Sequence, residues 1–388
     1  MSLFITILVF IAILAVLILS HEFGHFIVAK LSGIGVKEFG FGFPPRIAGI
    51  YRDRVTRKWH IVPPHSKMPE VTKDVDPDTV YSLNAIPLGG FVSMVAENGT
   101  EEDEGKYSFA NQPAGKRFAV MVAGVFMNLL LAYLLLSFGL MFGLPSSTYG
   151  ISTNAYSQKH VTVVQVEQGS PAAHAGIAVG EAILGIRAGG KYYPATSLDQ
   201  VQQLSDQNKG KPLTLVLQDG RVTMDKVVVP RTNPGPNQGA IGIAMEEVAF
   251  VHYPWYQAFI KGGEALYAMT TQMVVMLWGL LVGLFVGHTA LLSDVAGPVG
   301  IANITGQAVK LGWAYVLNLT IVLSINLAIL NILPFPALDG GRAFFLIVEK
   351  IKGRPVNYKV ENTIHQVGFA LLLLLMAVIT VHDIAKLF

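Results

Sequence analysis

From Leu3 to Leu19 the chain carries no charged side chain. No other feature restricts its fold as much. Hydrocarbon offers no water to backbone N–H and C=O groups, so a lipid-embedded segment must satisfy them internally, as a helix. Spanning takes about 20 helical residues. The first apolar stretch covers about residues 3–28, and four more follow at about 118–142, 265–287, 313–338 and 366–381, the last shorter. Composition agrees. Only 14% of the 388 residues are charged and 52% are hydrophobic, whereas soluble proteins carry roughly 25% charged residues. The first charged residue is Glu22, so no basic region precedes the apolar run, and no A-x-A site follows it. The run is therefore expected to stay as a membrane helix, not to be removed as a signal peptide.

The net charge of +2 favours no particular partner, and no basic stripe points to nucleic acid. With no cysteine in the chain, disulfides and thiolate metal sites are excluded. Residues 145–250 differ in character from the apolar stretches. "HVTVVQV" alternates like a strand, and "GSPAAHAGI" offers Ser170 as the N-cap of a short helix with Pro171 at its first position. "SLDQVQQLSDQ" reads as an amphipathic helix, and "PLTLVLQDGRVTMDKVVV" as a hairpin turning at Asp219-Gly220. Together they predict a soluble α/β domain of about 100 residues. Before it, "IPLGGFVSMV" reads as a turn followed by a strand, and "EEDE" at 101–104 as a solvated loop.

Ionisable groups appear where lipid should forbid them. His21 and His25 are four residues apart, one helical turn, on the same face. At that spacing two imidazoles can bind one Zn²⁺, with Glu22 placed to take a proton from water. H-E-x-x-H also arises by chance in soluble helices. Beside a membrane helix, however, each such group costs on the order of 2–3 kcal/mol, less near the helix end. A catalytic zinc usually has three protein ligands and an open position. Asp339, in "NILPFPALDGGR" at the end of the fourth apolar stretch, is the candidate third ligand. Pro334 and Pro336 break the helix just before it, and irregular backbone at membrane depth survives only where it lines a cavity or is buried in protein. Alone, Asp339 reads equally well as a cap or turn residue. His60, His65, His160, His174, His252, His288, His365 and His382 lack ligand spacing and read as solvated or packing residues.

His21-Glu22-Phe23-Gly24-His25 on a first membrane helix and "NILPFPALDGG" on a late one resemble the site-2 proteases, intramembrane zinc metalloproteases, and among them the bacterial regulator-of-sigma-E protease group. "IPLGGFVSM" is similar to that family's membrane-associated β-hairpin, "GSPAAHAGIAVGEAILGI" to the opening of a PDZ domain, and "MNLLLA" and "AGPVGIA" are further matches. The resemblance implies Zn²⁺ held by His21, His25 and Asp339, with Glu22 as catalytic base. It also implies substrate contacts from Asn326, Asn331, Pro334 and Pro336. Asn128 is either interhelical glue or a site residue, and the family places an asparagine there. The polar insertion between Tyr51 and Thr79, and a single PDZ-like domain where some relatives have two, depart from the pattern.

The expected fold class is a mainly α polytopic membrane protein, with four transmembrane helices, a membrane-associated β-hairpin and an inserted α/β PDZ-like domain. The expected segments are a first span at 1–30, a cytoplasmic-side loop with the hairpin at 31–117, a second span at 118–143 and the PDZ-like domain at 150–245. A membrane-surface or re-entrant element at 255–312 follows, then a span carrying Asp339 at 313–345 and a last span at 363–385. Four spans, not five, are needed to bring His21 and Asp339 to one membrane face. The basic loop after Asp339 (Arg342, Lys350, Lys352, Arg354, Lys359) then lies in the cytoplasm. The expected partners are the lipid bilayer and single-pass membrane proteins, such as anti-sigma factors or remnant signal peptides, with no nucleic acid. The expected location is a bacterial inner membrane, with the PDZ-like domain outside. A non-enzymatic PDZ scaffold would explain the soluble domain but not the three ligands. A transporter would show its polar residues in symmetric halves, which is not seen.

Overall fold

The computed structural model describes residues 3–66, 68–69, 75–97, 105–147, 156–220, 222–235, 238–286, 296–354 and 356–385. The "EEDE" run, His288 and part of the polar insertion lie outside the described residues. In chain order the elements are α1 (Leu3–Leu31), β1 (Val36–Arg52), β2 (Trp59–Val62), β3 (Val80–Met94), α2 (Ala114–Phe142), β4 (Leu144–Ser147), β5 (Tyr156–Val166) and α3 (Pro171–His174). They continue with β6 (Ala182–Ala188), β7 (Lys191–Pro194), α4 (Leu198–Gln207), β8 (Leu213–Asp219), β9 (Val222–Val228) and β10 (Ile243–Val251). The chain ends with α5 (Trp255–Val286), α6 (Pro298–Leu311), α7 (Trp313–Ile332), α8 (Asp339–Lys352) and α9 (Tyr358–Ala385). Among the described residues, five helices are long and apolar enough to cross a membrane: Leu3–Leu31, Ala114–Phe142, Trp255–Gly283, Trp313–Ile332 and Lys359–Ala385.

The chain divides into two compact units. One comprises Ser2–Tyr133, Ala265–Asn303 and Thr320–Phe388. Within it, a sheet of order β2-β1-β3 packs against α1. Both long strands of this sheet bend. Phe39 of β1 faces Val92 on one edge and Tyr81 on the other, and the later half of β1 pairs Ile50 with Tyr81. The polar insertion is not all loop. "WHIV" forms β2 against Gly49–Arg52, and Asp53 closes the turn by accepting the N–H groups of Val55 and Thr56 at 2.8 Å each. The apolar run is too short to announce this strand, because its neighbours are polar. A core of Ala29, Val36, Val92, Phe109, Val120, Met121, Ala343 and Leu346 joins the end of α1 to the sheet, α2 and α8.

The expected span over 313–345 consists of two helices, broken at the prolines as their positions predict. α7 stops at Ile332, residues 333–338 form a turn containing both prolines, and α8 restarts at Asp339. The prolines account for the break. α8 is amphipathic, with Ala343 and Leu346 buried, Lys350 and Lys352 in its last turn and Gly353 as a left-handed C-cap at φ 69°. The Gly340-Gly341 pair serves close approach, not positive φ. A Cβ at Gly340 would strike the carbonyl oxygens of Ile332 and Leu333.

The other unit, Leu134–Glu264 with Ile304–Leu319, contains the soluble domain. Its seven-stranded sheet has the order β4-β10-β5-β6-β8-β9, with β7 beside β6. Sheet membership widens the domain to residues 144–251. The local expectations for this stretch agree with the structure. Ser170 Oγ accepts the Ala173 N–H at 3.1 Å, and Pro171 begins α3. Ser197 caps α4, and Asp219 pairs with Val222 across the tight turn. Leu213, Leu215 and Leu217 alternate into a core with Val161, Val163, Ile183 and Ile186. α5 opens the expected 255–312 element, begins ten residues before the 265–287 apolar stretch and is unbroken from Trp255 to Val286, so the helix itself contains no re-entrant reversal.

Candidate metal centre

α1 carries His21 and His25 on its buried stripe, with Ile13, Leu17 and Ala29. α8 begins with Asp339. The three side chains meet. His21 Nε2 lies 2.8 Å from Asp339 Oδ2, and His25 Nε2 lies 3.2 Å from both that oxygen and His21 Nε2. Ligands about 2.0–2.1 Å from a tetrahedral Zn²⁺ stand ~3.3 Å apart. The donor set of two imidazoles and a carboxylate, at these separations, fits that ion.

The other ring nitrogens decide which tautomers are present. His25 Nδ1 lies 2.7 Å from the Val120 carbonyl, which can only accept. Nδ1 therefore carries the proton, and the Nε2 lone pair is free for a metal. His21 Nδ1 lies 3.3 Å from Asn128 Nδ2, while Asn128 Oδ1 is buried with no partner among the described residues. The two amide atoms are distinguished only by their hydrogen-bond surroundings. With the amide turned over, Oδ1 accepts from His21 Nδ1–H. One exchange satisfies the orphaned oxygen and frees His21 Nε2 as a ligand. Ser324 Oγ donates to the Asn128 carbonyl at 2.8 Å, tying α7 to α2 at the same level.

α2 also leaves the space the two rings need. A Cβ at Gly124 would stand 2.6 Å from His21 Cε1 and 2.6 Å from His25 Nε2. Only glycine fits opposite this pair.

Glu22, His25 and Asp339 line a cleft of about 560 Å³, together with Gly90, Phe91, Val92 and Met94 of β3 and Gln366 and Phe369 of α9. A Cβ at Gly90 would stand 3.2 Å from Glu22 Cγ, so the strand runs directly past the carboxylate. Among the described residues, this part of β3 has β1 along one edge only. Beyond the cleft, Glu97, Arg117, Arg342, Glu349 and Glu361 line a second cavity of about 350 Å³. There Arg117 pairs with Glu349, and Arg342 with Glu97, at 2.5 Å each.

The candidate substrate residues separate. Asn331 Nδ2 lies 3.5 Å from His21 Nε2, at the metal centre itself. Pro336 packs on α9 at Gly368 and lines an apolar notch of about 250 Å³ with Phe335, Ile364 and Leu371. Pro334 is exposed. Asn326 is half-buried in α7, and among the described residues it lines none of these cavities. Sequence reasoning missed Gly124 and Arg342, and it gave His365 no partner. His365 in fact accepts a hydrogen bond from the turn before Asp339 and lines both cavities. An ionisable residue in an apolar helix is by default a functional candidate, and that signal was available.

The chain is similar to known proteins over nearly its whole length. The profile of peptidase family M50 matches residues 9–64 and 67–375. A protein of Clostridium perfringens, named for a zinc metalloprotease, is 34% identical over 368 residues, covering 95% of each chain. One of Clostridium acetobutylicum, similarly named, is 30% identical over 376 residues, covering 96% of each. Zinc metalloprotease RasP of Oceanobacillus iheyensis is 27% identical over 445 residues, covering 99% of each.

Proposed function

The chain belongs to peptidase family M50, the site-2 proteases, and is a zinc metalloprotease of that type; from this premise we propose how its own residues do the work. His21, His25 and Asp339 hold the zinc, and Glu22 is the base. The observation that carries this reading is the meeting of three ligand atoms within 3.2 Å of one another from segments more than 300 residues apart, with Glu22 in the same cleft.

Zinc supplies Lewis acidity toward a scissile carbonyl and activates water at neutral pH. Glu22 takes a proton from that water and hands it to the departing amine. A peptide bond within a membrane helix has its carbonyl engaged in the helix, so the substrate must first unwind. The open edge of β3 at Gly90–Met94 offers backbone groups to an unwound strand by β-addition. Asn331 offers an amide beside the reacting carbonyl. Arg342, Glu97 and the polar cavity behind them keep water next to the cleft. The substrates are single-pass membrane proteins already shortened outside the membrane, such as anti-sigma factors or remnant signal peptides. A scaffold role leaves the convergence of the three ligands without a purpose.

Four helices cross a bacterial inner membrane, with the soluble domain outside. The start of α5 is held at the C-terminal end of α2, where Tyr253 donates to Leu140 O at 2.7 Å. The start of α6 is held at the C-terminal end of α9, where Asp383 accepts the Gly300 N–H at 2.8 Å. α2 and α9 both set out from the basic end near α8, since Arg117 and Glu361 share one cavity with Glu349. The chain between Val286 and Pro298 is too short to return as a helix, which needs about 20 residues. These contacts support a reading in which α5 begins and ends at one face, in spite of its apolar composition. Positive charge at 342–359 puts the opposite face in the cytoplasm.

The test is cleavage of a single-span substrate by the full chain in detergent, with zinc measured in the same samples. Glu22→Gln should keep zinc and lose cleavage. His21→Ala, His25→Ala and Asp339→Ala should lose both. Wild-type cleavage by Glu22→Gln would refute the assignment.

A further inference from the structure

Asp339 opens α8 without help from a capping side chain: Leu338, at the N-cap, makes no side-chain hydrogen bond. The turn before it is held partly by its own backbone, through Phe335 N–H to Leu333 O at 2.7 Å and Leu338 N–H to Phe335 O at 3.2 Å. Ala337 is different. Its φ is 77°, in the left-handed region that residues with a Cβ seldom occupy. Such a conformation persists only where the surroundings over-determine it. Its N–H is bound from outside the turn, by His365 Nδ1 of α9 at 2.8 Å. One helical turn further on, α9 comes so close that a Cβ at Gly368 would strike Pro336.

Accepting that bond leaves the proton of a neutral imidazole on Nε2. The atom is buried and has no hydrogen-bond partner among the described residues, and Glu361 Oε1 stands 4.0 Å away. Phe345 of α8 packs on the same ring at a centroid distance of 5.6 Å. His365 thus touches both the turn and the helix that carry Asp339. The face of α9 that includes His365, Gln366 and Phe369 is also a wall of the catalytic cleft.

We propose that His365 is a positioning residue: it clamps the Ala337 N–H, sets the Asp339 carboxylate against His21 and His25, and couples the position of α9 to the metal centre. Displacing α9, as a substrate pressing into the cleft would, pulls on the backbone two residues before Asp339. The inference rests on the reading of His21, His25 and Asp339 as zinc ligands.

Two substitutions separate the clamp from mere packing. His365→Asn keeps an acceptor at the δ position but loses volume. His365→Leu keeps volume and has no acceptor. The measurement is the rate of zinc loss from the purified full chain in detergent under excess chelator, with kcat and KM for a single-span substrate alongside. Removing a partner that orients a ligand typically costs 10–100-fold in metal affinity or activity. His365 acts through the backbone, so the expected acceleration for His365→Leu is ~10-fold, with kcat reduced, and His365→Asn stays within ~2-fold of wild type. Packing alone predicts the reverse order. Equal rates for wild type and His365→Leu, or faster loss from His365→Asn than from His365→Leu, would overturn the clamp. Should His365→Leu not fold, His365→Gln decides, since its amide lies one bond too far to accept from Ala337 and it should lose zinc as His365→Leu would. A wild-type chain that holds no zinc would overturn the metal-centre reading instead, a distinct result.

Discussion

Gly124→Ala adds one methyl group and should weaken zinc binding at the proposed centre. The new Cβ would stand 2.6 Å from His21 Cε1, 2.6 Å from His25 Nε2 and 2.7 Å from His21 Nε2. Carbon needs roughly 3.5 Å, so about 0.9 Å must be found. The rings have little freedom to retreat. His25 is tied by Nδ1 to Val120 O at 2.7 Å, and His21 faces Asn128. Val120 and Asn128 lie one helical turn on either side of Gly124, so moving α2 away carries both anchors with it. Overpacking typically costs 1–3 kcal/mol, while ligand distances tolerate only about ±0.2 Å. If about 2 kcal/mol falls on the zinc-bound state, affinity drops about 30-fold. The assay is zinc stoichiometry by mass spectrometry of the purified chain, followed by competition with a chelator of known affinity. Gly115→Ala is the control, since a Cβ there meets nothing within 4 Å on the same helix. Retention of zinc by Gly124→Ala with wild-type affinity would refute the packing argument.

Glu22→Gln should lower cleavage by about 10²–10⁴-fold, the usual contribution of a positioned base, at unchanged zinc content; a smaller loss would point to another base. Asn128→Ala should speed zinc loss ~10-fold while Asn128→Asp, which keeps the acceptor for His21, should not; chelator kinetics distinguish the two. Replacing residues 144–251 with a short flexible linker should admit substrates with large extracytoplasmic domains, if the soluble domain acts as a filter; continued rejection by a folded variant, judged by zinc content, sinks that idea. Single cysteines at Gln207 and Asn303, both exposed, should react with an impermeant reagent from outside. Labelling of Asn303→Cys only from the cytoplasm would mean that α5 crosses.

The candidate metal centre is legible in the sequence to the extent that its residues are dense there or sit against apolar runs. His21, Glu22 and His25 share one turn of α1, and Asp339 follows two prolines, so each is conspicuous. Their supports are not. Gly124 is one of 39 glycines, and its role exists only once α1 lies on α2 in one rotational setting. His365 was set aside because its partner is the backbone of Ala337, and a backbone donor leaves no mark in a sequence pattern. The soluble domain read well locally, since caps and tight turns are governed by neighbouring residues. β2 did not, because four residues between polar flanks have no period to recognise. The 265–287 apolar stretch is shorter than α5 for a related reason: Gln257, Lys261 and Glu264 interrupt the apolar run without interrupting the helix.

Ionisable groups near lipid are tolerable only if something satisfies them, and here the satisfying groups lie along narrow polar stripes on otherwise apolar helices. On α1 the stripe is His21 and His25, while Ser20, about 100° round the helix from His21, donates to Met127 O at 3.3 Å. On α2 it is Val120 O, Gly124 and Asn128, spaced four residues apart. On α7 it is Ser324 and Asn331, seven apart, reaching Asn128 O and His21 respectively. These are the intervals that bring residues to one helical face. Each stripe alone looks like a minor blemish in a hydrophobic run. Set against one another they supply an acceptor for His25 Nδ1, an amide for His21 Nδ1 and room for both rings. A one-residue slip of α2 would rotate Gly124 about 100° off that face and bring a side chain with a Cβ against the imidazoles. On the proposed reading of His21, His25 and Asp339 as ligands, the register of α2 is as strict a requirement for zinc as the ligands themselves.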